Sequence, residues 1–61
     1  MAKNHWYNVV FVKGTSRRSY MIAAACIGNA RSIGWMRLED IEGATQGWDL
    51  VQTSTVGPAP L

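Results

Sequence analysis

Apolar and polar positions alternate most cleanly near the start of the chain. Trp6-Tyr-Asn-Val-Val-Phe-Val-Lys13 is dominated by aromatic and β-branched residues and stops at Gly14, which predicts a strand. Lys13-Gly14-Thr15-Ser16 supplies a turn, and glycine at the first central position of a two-residue loop permits type II′ geometry. A second strand, Arg17 to Ala23, then pairs back on the first. In that register Phe11 lies opposite Arg18, Val9 opposite Tyr20, and Tyr7 opposite Ile22. Because strand side chains alternate between faces, Tyr7, Val9, Phe11, Tyr20 and Ile22 form one coherent core surface. The other face carries Trp6, Asn8, Val10, Val12, Arg17, Ser19 and Met21 and is only partly polar.

Beyond Ala24 the period changes. Ile27, Ala30 and Ile33 recur at three-residue spacing, and Gly34 stands where a left-handed cap would end a helix, so a short helix is predicted over Ala25–Ile33, packed across the core face. Three consecutive alanines favour a rival, one helix from Ser19 to Ile33. The Tyr20/Ile22 alternation and the absence of a helix-start signal at Arg17-Arg18-Ser19 favour the hairpin. Trp35 to Ile41 predicts a third strand anchored by Met36 and Leu38, Glu42–Gly47 a loop, and Trp48 to Val56 a fourth strand. The sum is an α+β fold: a small antiparallel sheet with one short helix in the order β-β-α-β-β. It forms a single domain over residues 1–56, followed by a flexible tail, Gly57-Pro-Ala-Pro-Leu61.

Size limits what this fold can hide. A 61-residue chain buries only about 60% of the surface its unfolded form exposes. Cys26 alone cannot make an internal disulfide, and with His5 it cannot supply the four ligands of a structural zinc. Self-association is the remaining remedy for an undersized core. Six Lys and Arg against four Asp and Glu give a net charge of +2, small for a dedicated nucleic-acid binder. The charges are segregated: Lys3, Lys13, Arg17, Arg18, Arg31 and Arg37 all precede Glu39, Asp40, Glu42 and Asp49. No apolar run approaches the ~18–20 residues of a membrane span. The Tyr20–Ile27 run also lacks the leading positive segment of a signal peptide, so a cytoplasmic protein is expected.

Candidate chemistry is thin. His5 lies beside Trp6 near a chain end and reads as solvated. Cys26 falls at the predicted helix start, where N–H groups activate thiols, but a small buried hydrophobe suits the site better. Glu39, Asp40 and Glu42 superficially suit a divalent cation, although in a strand only Asp40 and Glu42 share a side. Gly14, Gly28 and Gly34 stand singly and form no phosphate loop. Neither catalysis nor a cofactor is therefore expected. Arginine is the better lead, since a guanidinium grips carboxylates, phosphates and aromatic rings. Arg17 and Arg18 point to opposite faces, and Arg31 and Arg37 could extend either surface. Trp35 and Trp48 read as core, whereas Trp6, on the face opposite the core, reads as an interface anchor.

Tyr7-Asn-Val-Val-Phe-Val-Lys-Gly14, Arg18-Ser-Tyr-Met-Ile-Ala-Ala24 and Ala30-Arg-Ser-Ile-Gly34 together carry a resemblance. Over about Tyr7 to Ile41 the chain resembles the small strand-strand-helix-strand proteins of bacteriophages, including some anti-CRISPR proteins and phage inhibitors of host enzymes. The resemblance implies a protein that binds and blocks a host machine without catalysis.

The sequence thus favours a non-enzymatic binding protein that occupies a surface of a larger host protein or nucleoprotein. Its contacts would come from Trp6, Lys13, Arg17, Arg18 and Arg37. A homodimer is also expected, formed through the face bearing Trp6, Val10, Val12 and Met21 or through an exposed sheet edge. Two alternatives use the same residues: a small nucleic-acid binder, with Lys13, Arg17, Arg18 and Arg37 on phosphates and Trp6 or Tyr20 stacked on bases, and a self-associating structural subunit.

Overall fold

The computed structural model describes residues 4–58. Strands β1 (His5–Lys13) and β2 (Ser16–Ala24) form the expected hairpin, helix α1 (Ile27–Glu42) follows, and strand β3 (Asp49–Pro58) closes the fold. The three strands make one antiparallel sheet in the order β2-β1-β3, so the first strand lies in the middle. The architecture is α+β, with the order β-β-α-β in place of β-β-α-β-β.

The hairpin register is the predicted one. Phe11 pairs with Arg18, Val9 with Tyr20 and Tyr7 with Ile22, around a two-residue loop closed by Lys13 and Ser16. Gly14 sits at φ 59°, the positive value that the first central position of a type II′ turn requires.

The predicted third strand, Trp35 to Ile41, is instead the second half of α1. Helical spacing brings Ala30, Gly34 and Leu38 onto one face, and all three are buried. Gly34, read from sequence as a helix stop, lies inside the helix and packs directly against the sheet. A Cβ there would stand 2.9 Å from Val9 Cγ1 and 3.4 Å from Phe11 Cζ. The helix stops nine residues later, at Gly43, whose φ of 83° is left-handed and whose N–H donates to the Glu39 carbonyl at 2.8 Å.

One core results, built from Tyr7, Val9, Phe11, Ile22, Ala24, Ala30, Leu38 and Trp48, with Tyr20, Ile33, Trp35 and Leu50 packed against it. Trp35 meets Phe11 edge-on with ring centroids 4.6 Å apart, a favoured aromatic geometry. Both tryptophans expected in the core therefore serve it.

Strand β3 differs from its prediction in detail. It is irregular at two places, opposite Trp6/Tyr7 and opposite Val10/Phe11, leaving Val56 and Val51 outside the pairing. It also runs through Gly57 and Pro58, which pair with Trp6 and His5, so the expected flexible tail does not begin at Gly57. Residues 59–61 of that tail lie outside the described residues.

Candidate functional site

Helix α1 covers one face of the sheet and leaves the other open. Strand alternation and the observed registers assign Trp6, Asn8, Val10 and Val12 of β1, Arg17, Ser19, Met21 and Ala23 of β2, and Asp49, Gln52, Ser54 and Gly57 of β3 to the open face. Most are short or polar. Among the face's bulky apolar groups on the hairpin strands, Met21 is 49% exposed, Trp6 and Val12 are half-buried and Val10 is buried.

The centre of this face is closed to contact, which corrects the expectation for Val10. That side chain is only 1% exposed even though no helix covers it. Its cross-strand neighbours are Ser19 and Gln52. Ser19 Oγ donates to Asn8 Oδ1 at 2.6 Å, and Gln52 Nε2 donates to Ser54 Oγ at 2.8 Å. These two polar pairs flank the valine and make the middle of the open face tolerant of water.

Trp6 stands in different company. Its cross-strand neighbours, Ala23 and Gly57, are both small, and the indole is half-buried. Met21 lies diagonally across the hairpin on the same face. Arg17 lies at the far end, beside Val12. Six residues of strand separate Trp6 from Val12, roughly 20 Å at ~3.3 Å per residue.

The remaining basic residues are dispersed. Arg18 points to the core side, where Nε donates to Glu42 Oε2 at 3.3 Å, Nη1 donates to the Arg17 carbonyl at 2.9 Å, and the guanidinium lies 5.6 Å from the Trp48 ring centroid. It clasps the hairpin to the end of α1. Lys13 lies along Gly47, where an added Cβ would come within 3.0 Å of Lys13 Cε. Arg31 and Arg37 are exposed on α1, and Arg37 thus sits on the helix and not on a third strand. Among the five residues read as partner contacts, only Trp6 and Arg17 share the open face.

The groups weighed for catalysis are also placed. Cys26 is the residue before α1 and is exposed, not the buried hydrophobe expected, and its side chain makes no capping hydrogen bond. Glu39 and Asp40 are exposed on the helix, and Glu42 is engaged by Arg18. His5 lies on the helix side of the sheet, edge-on to Tyr7 with centroids 6.4 Å apart. Among the described residues no three His, Cys, Asp or Glu side chains converge, and no pocket opens in the surface.

Sequence reasoning missed the half-exposed apolar groups of the helix and of β3: Met36 (66%), Ile41 (57%), Val51 (51%) and Val56 (57%). Only the helical period would have placed Met36 outward, and nothing in the local pattern marks the two irregularities of β3. No protein-family model, no curated protein and no solved structure matches the chain.

Proposed function

We propose that this chain is a non-enzymatic binding protein whose open sheet face docks on a surface of a larger host protein or nucleoprotein and blocks it. The observation that carries this reading is the placement of Trp6. An indole held on the rigid central strand, flanked by alanine and glycine and left uncovered by the helix, is the kind of preorganised aromatic anchor that dominates binding interfaces. The likeness to small phage inhibitors is the ground for seeking the partner in a host cell. The nucleic-acid alternative is weaker, because a phosphate-binding stripe needs clustered cations and here Arg18 is neutralised by Glu42 while Arg31 and Arg37 sit on the helix.

A photo-crosslinking residue at Met21, on the open face, is expected to capture one host macromolecule in cells. The same probe at Met36, on the helix surface, is expected not to. The purified partner should then be inhibited stoichiometrically, with Trp6→Ala weakening binding by about 2 kcal/mol and His5→Ala and Cys26→Ser leaving it within a few-fold. Sub-stoichiometric, turnover-dependent action on the partner, or capture only of nucleic acid, would refute the reading.

A further inference from the structure

The two edges of the sheet are not equivalent. Strand β3 is irregular at two places and ends in Pro58, devices that keep an edge from pairing with another chain. Strand β2 is nine residues long and pairs with β1 without a break from Ser16 to Ala24. Helix α1 packs over the core face of β2, but among the described residues no strand pairs with its outer edge, and Arg17, Ser19, Met21 and Ala23 on that edge are exposed.

The hairpin register fixes which groups that edge offers. A two-residue loop closes on a hydrogen-bonded pair, here Lys13 and Ser16, and bonded and non-bonded pairs then alternate. Residues 18, 20, 22 and 24 therefore bond to β1, and Arg17, Ser19, Met21 and Ala23 turn their N–H and C=O groups outward. The Arg17 carbonyl conforms: it accepts from Arg18 Nη1 at 2.9 Å instead of from β1.

We infer that this edge pairs with the same edge of a second copy, antiparallel and centred on Tyr20, to give a continuous sheet of six strands. Three features of β2 select the occupant and the register together. First, centring on Tyr20 sets Arg17 opposite the second copy's Ala23 and Ser19 opposite its Met21. All four outward residues are then used, for about eight backbone hydrogen bonds, whereas a shift of two residues either way forfeits a pair. The Arg17 carbonyl takes its new donor on its second lone pair. Second, the arginines occupy one end of β2 and the alanines the other. Two-fold pairing therefore lays each basic end against a small apolar end and keeps the two Arg17 side chains about 20 Å apart. Third, the cross-strand row through Ala23 continues to Trp6. With only a methyl group between them, Arg17 of one copy reaches over Ala23 toward the face of the other copy's Trp6, a cation–π contact. Within one chain these two residues are six positions apart along the sheet; pairing unites them twice.

The interface is a strand edge plus two such contacts, smaller than the ~1,200–2,000 Å² of standard stable complexes, so a micromolar dimer is expected. It does not depend on the partner reading above, although both engage Trp6: a partner docked on that indole would displace the Arg17 contact and leave the strand ladder. The test is sedimentation equilibrium of the isolated chain up to high micromolar concentration. Met21→Pro removes an outward N–H while sparing every bond to β1, and Ala23→Arg confronts Arg17 of the second copy with a like charge. Each should weaken association at least about tenfold, and Arg17→Ala should do so about five- to thirtyfold, because both cation–π pairs of the dimer are lost together. If Met21→Pro fails to fold, Ala23→Arg decides. The register is read separately in a Cys26→Ser background by mixing Ser19→Cys and Met21→Cys chains under mild oxidation. The mixed 19–21 disulfide should form in preference to either like pair. A strict monomer, association unchanged by Ala23→Arg, or preferential like-pair disulfides would overturn the inference.

Discussion

Gly34 and Arg18 show how differently a side chain behaves from what its residue type suggests. Glycine inside a helix normally costs about 1 kcal/mol relative to alanine. At Gly34 that cost is offset by contact, since a methyl group would stand 2.9 Å from Val9 Cγ1, on a fully buried residue of the central strand. Overpacking of that kind costs about 1–3 kcal/mol. Gly34→Ala is therefore expected to lower stability by about 1 kcal/mol. Gly28→Ala, in the first turn of the same helix with nothing within 4 Å of the new methyl, should raise it by up to about 1 kcal/mol. Urea unfolding of the two variants checks the signs, and two stabilising changes would mean that the helix does not approach β1 at Gly34. Arg18, read from sequence as a free hot-spot residue, is held by Glu42 and lies beside Trp48. Its side chain is 42% exposed, so solvent screens the pair. A double-mutant cycle of Arg18→Ala and Glu42→Ala should give a coupling of only ~0.3–1 kcal/mol, shrinking as salt is added. A coupling above that range would point to a better-shielded contact than the geometry allows.

At the scale of elements, the hairpin was fully legible and the helix was legible only in part. Alternating apolar residues and a Gly-Thr turn admit one register, because a slip by one residue would turn Tyr7, Val9 and Phe11 out of the core. Trp35-Met-Arg-Leu-Glu-Asp-Ile41 is ambiguous by comparison. Trp35 and Leu38, three apart, lie on the covered side, and Leu38 also belongs to the run Ala30, Gly34, Leu38 at four-residue spacing. The short-range alternation of Met36 and Leu38 mimics a strand, and taking Gly34 as a stop hid the longer period. The open face was assigned correctly residue by residue on the hairpin. The sealing of Val10 was not legible, because it needs Gln52 and Ser54 from a strand whose irregular register no local pattern shows. The helical assignment is open to a direct check at Met36, which is 66% exposed and mid-helix. Met36→Ala should leave stability within about 0.5 kcal/mol, whereas Met36→Pro should cost about 3 kcal/mol or more by removing a helical hydrogen bond and clashing with the preceding turn. Far-UV circular dichroism through a thermal scan reads both. Equal tolerance of the two substitutions would restore the strand reading of this segment.

The whole molecule is organised around its first strand. Strand β1 lies between β2, its neighbour in sequence, and β3, which follows the helix, so the sheet cannot close until the last element is present. The helix depends on the same closure, since it touches all three strands and its buried side is short, limited to Ala30, Gly34 and Leu38 among fully buried positions. An isolated helix of its length is marginal in water, as is a lone hairpin. Strand β3 contributes Leu50 to the margin of the core, and the loop before it places Trp48, 8% exposed, within the core. Removing Trp48 and β3 therefore strips one side of the central strand of its ladder and takes Trp48 and Leu50 from the core. In a domain of this size a loss of several kcal/mol equals the whole stability. A chain ending at residue 46 is accordingly expected to lose cooperative unfolding and amide dispersion in a ¹H–¹⁵N correlation spectrum, although it keeps the entire hairpin and helix sequence. Adding a synthetic peptide covering residues 47–61 in excess should restore the dispersed spectrum, because β3 pairs with β1 through backbone bonds that a separate strand can supply. A dispersed, cooperatively unfolding fragment without the peptide would show instead that the hairpin and helix form a self-sufficient unit and that β3 is an appendage.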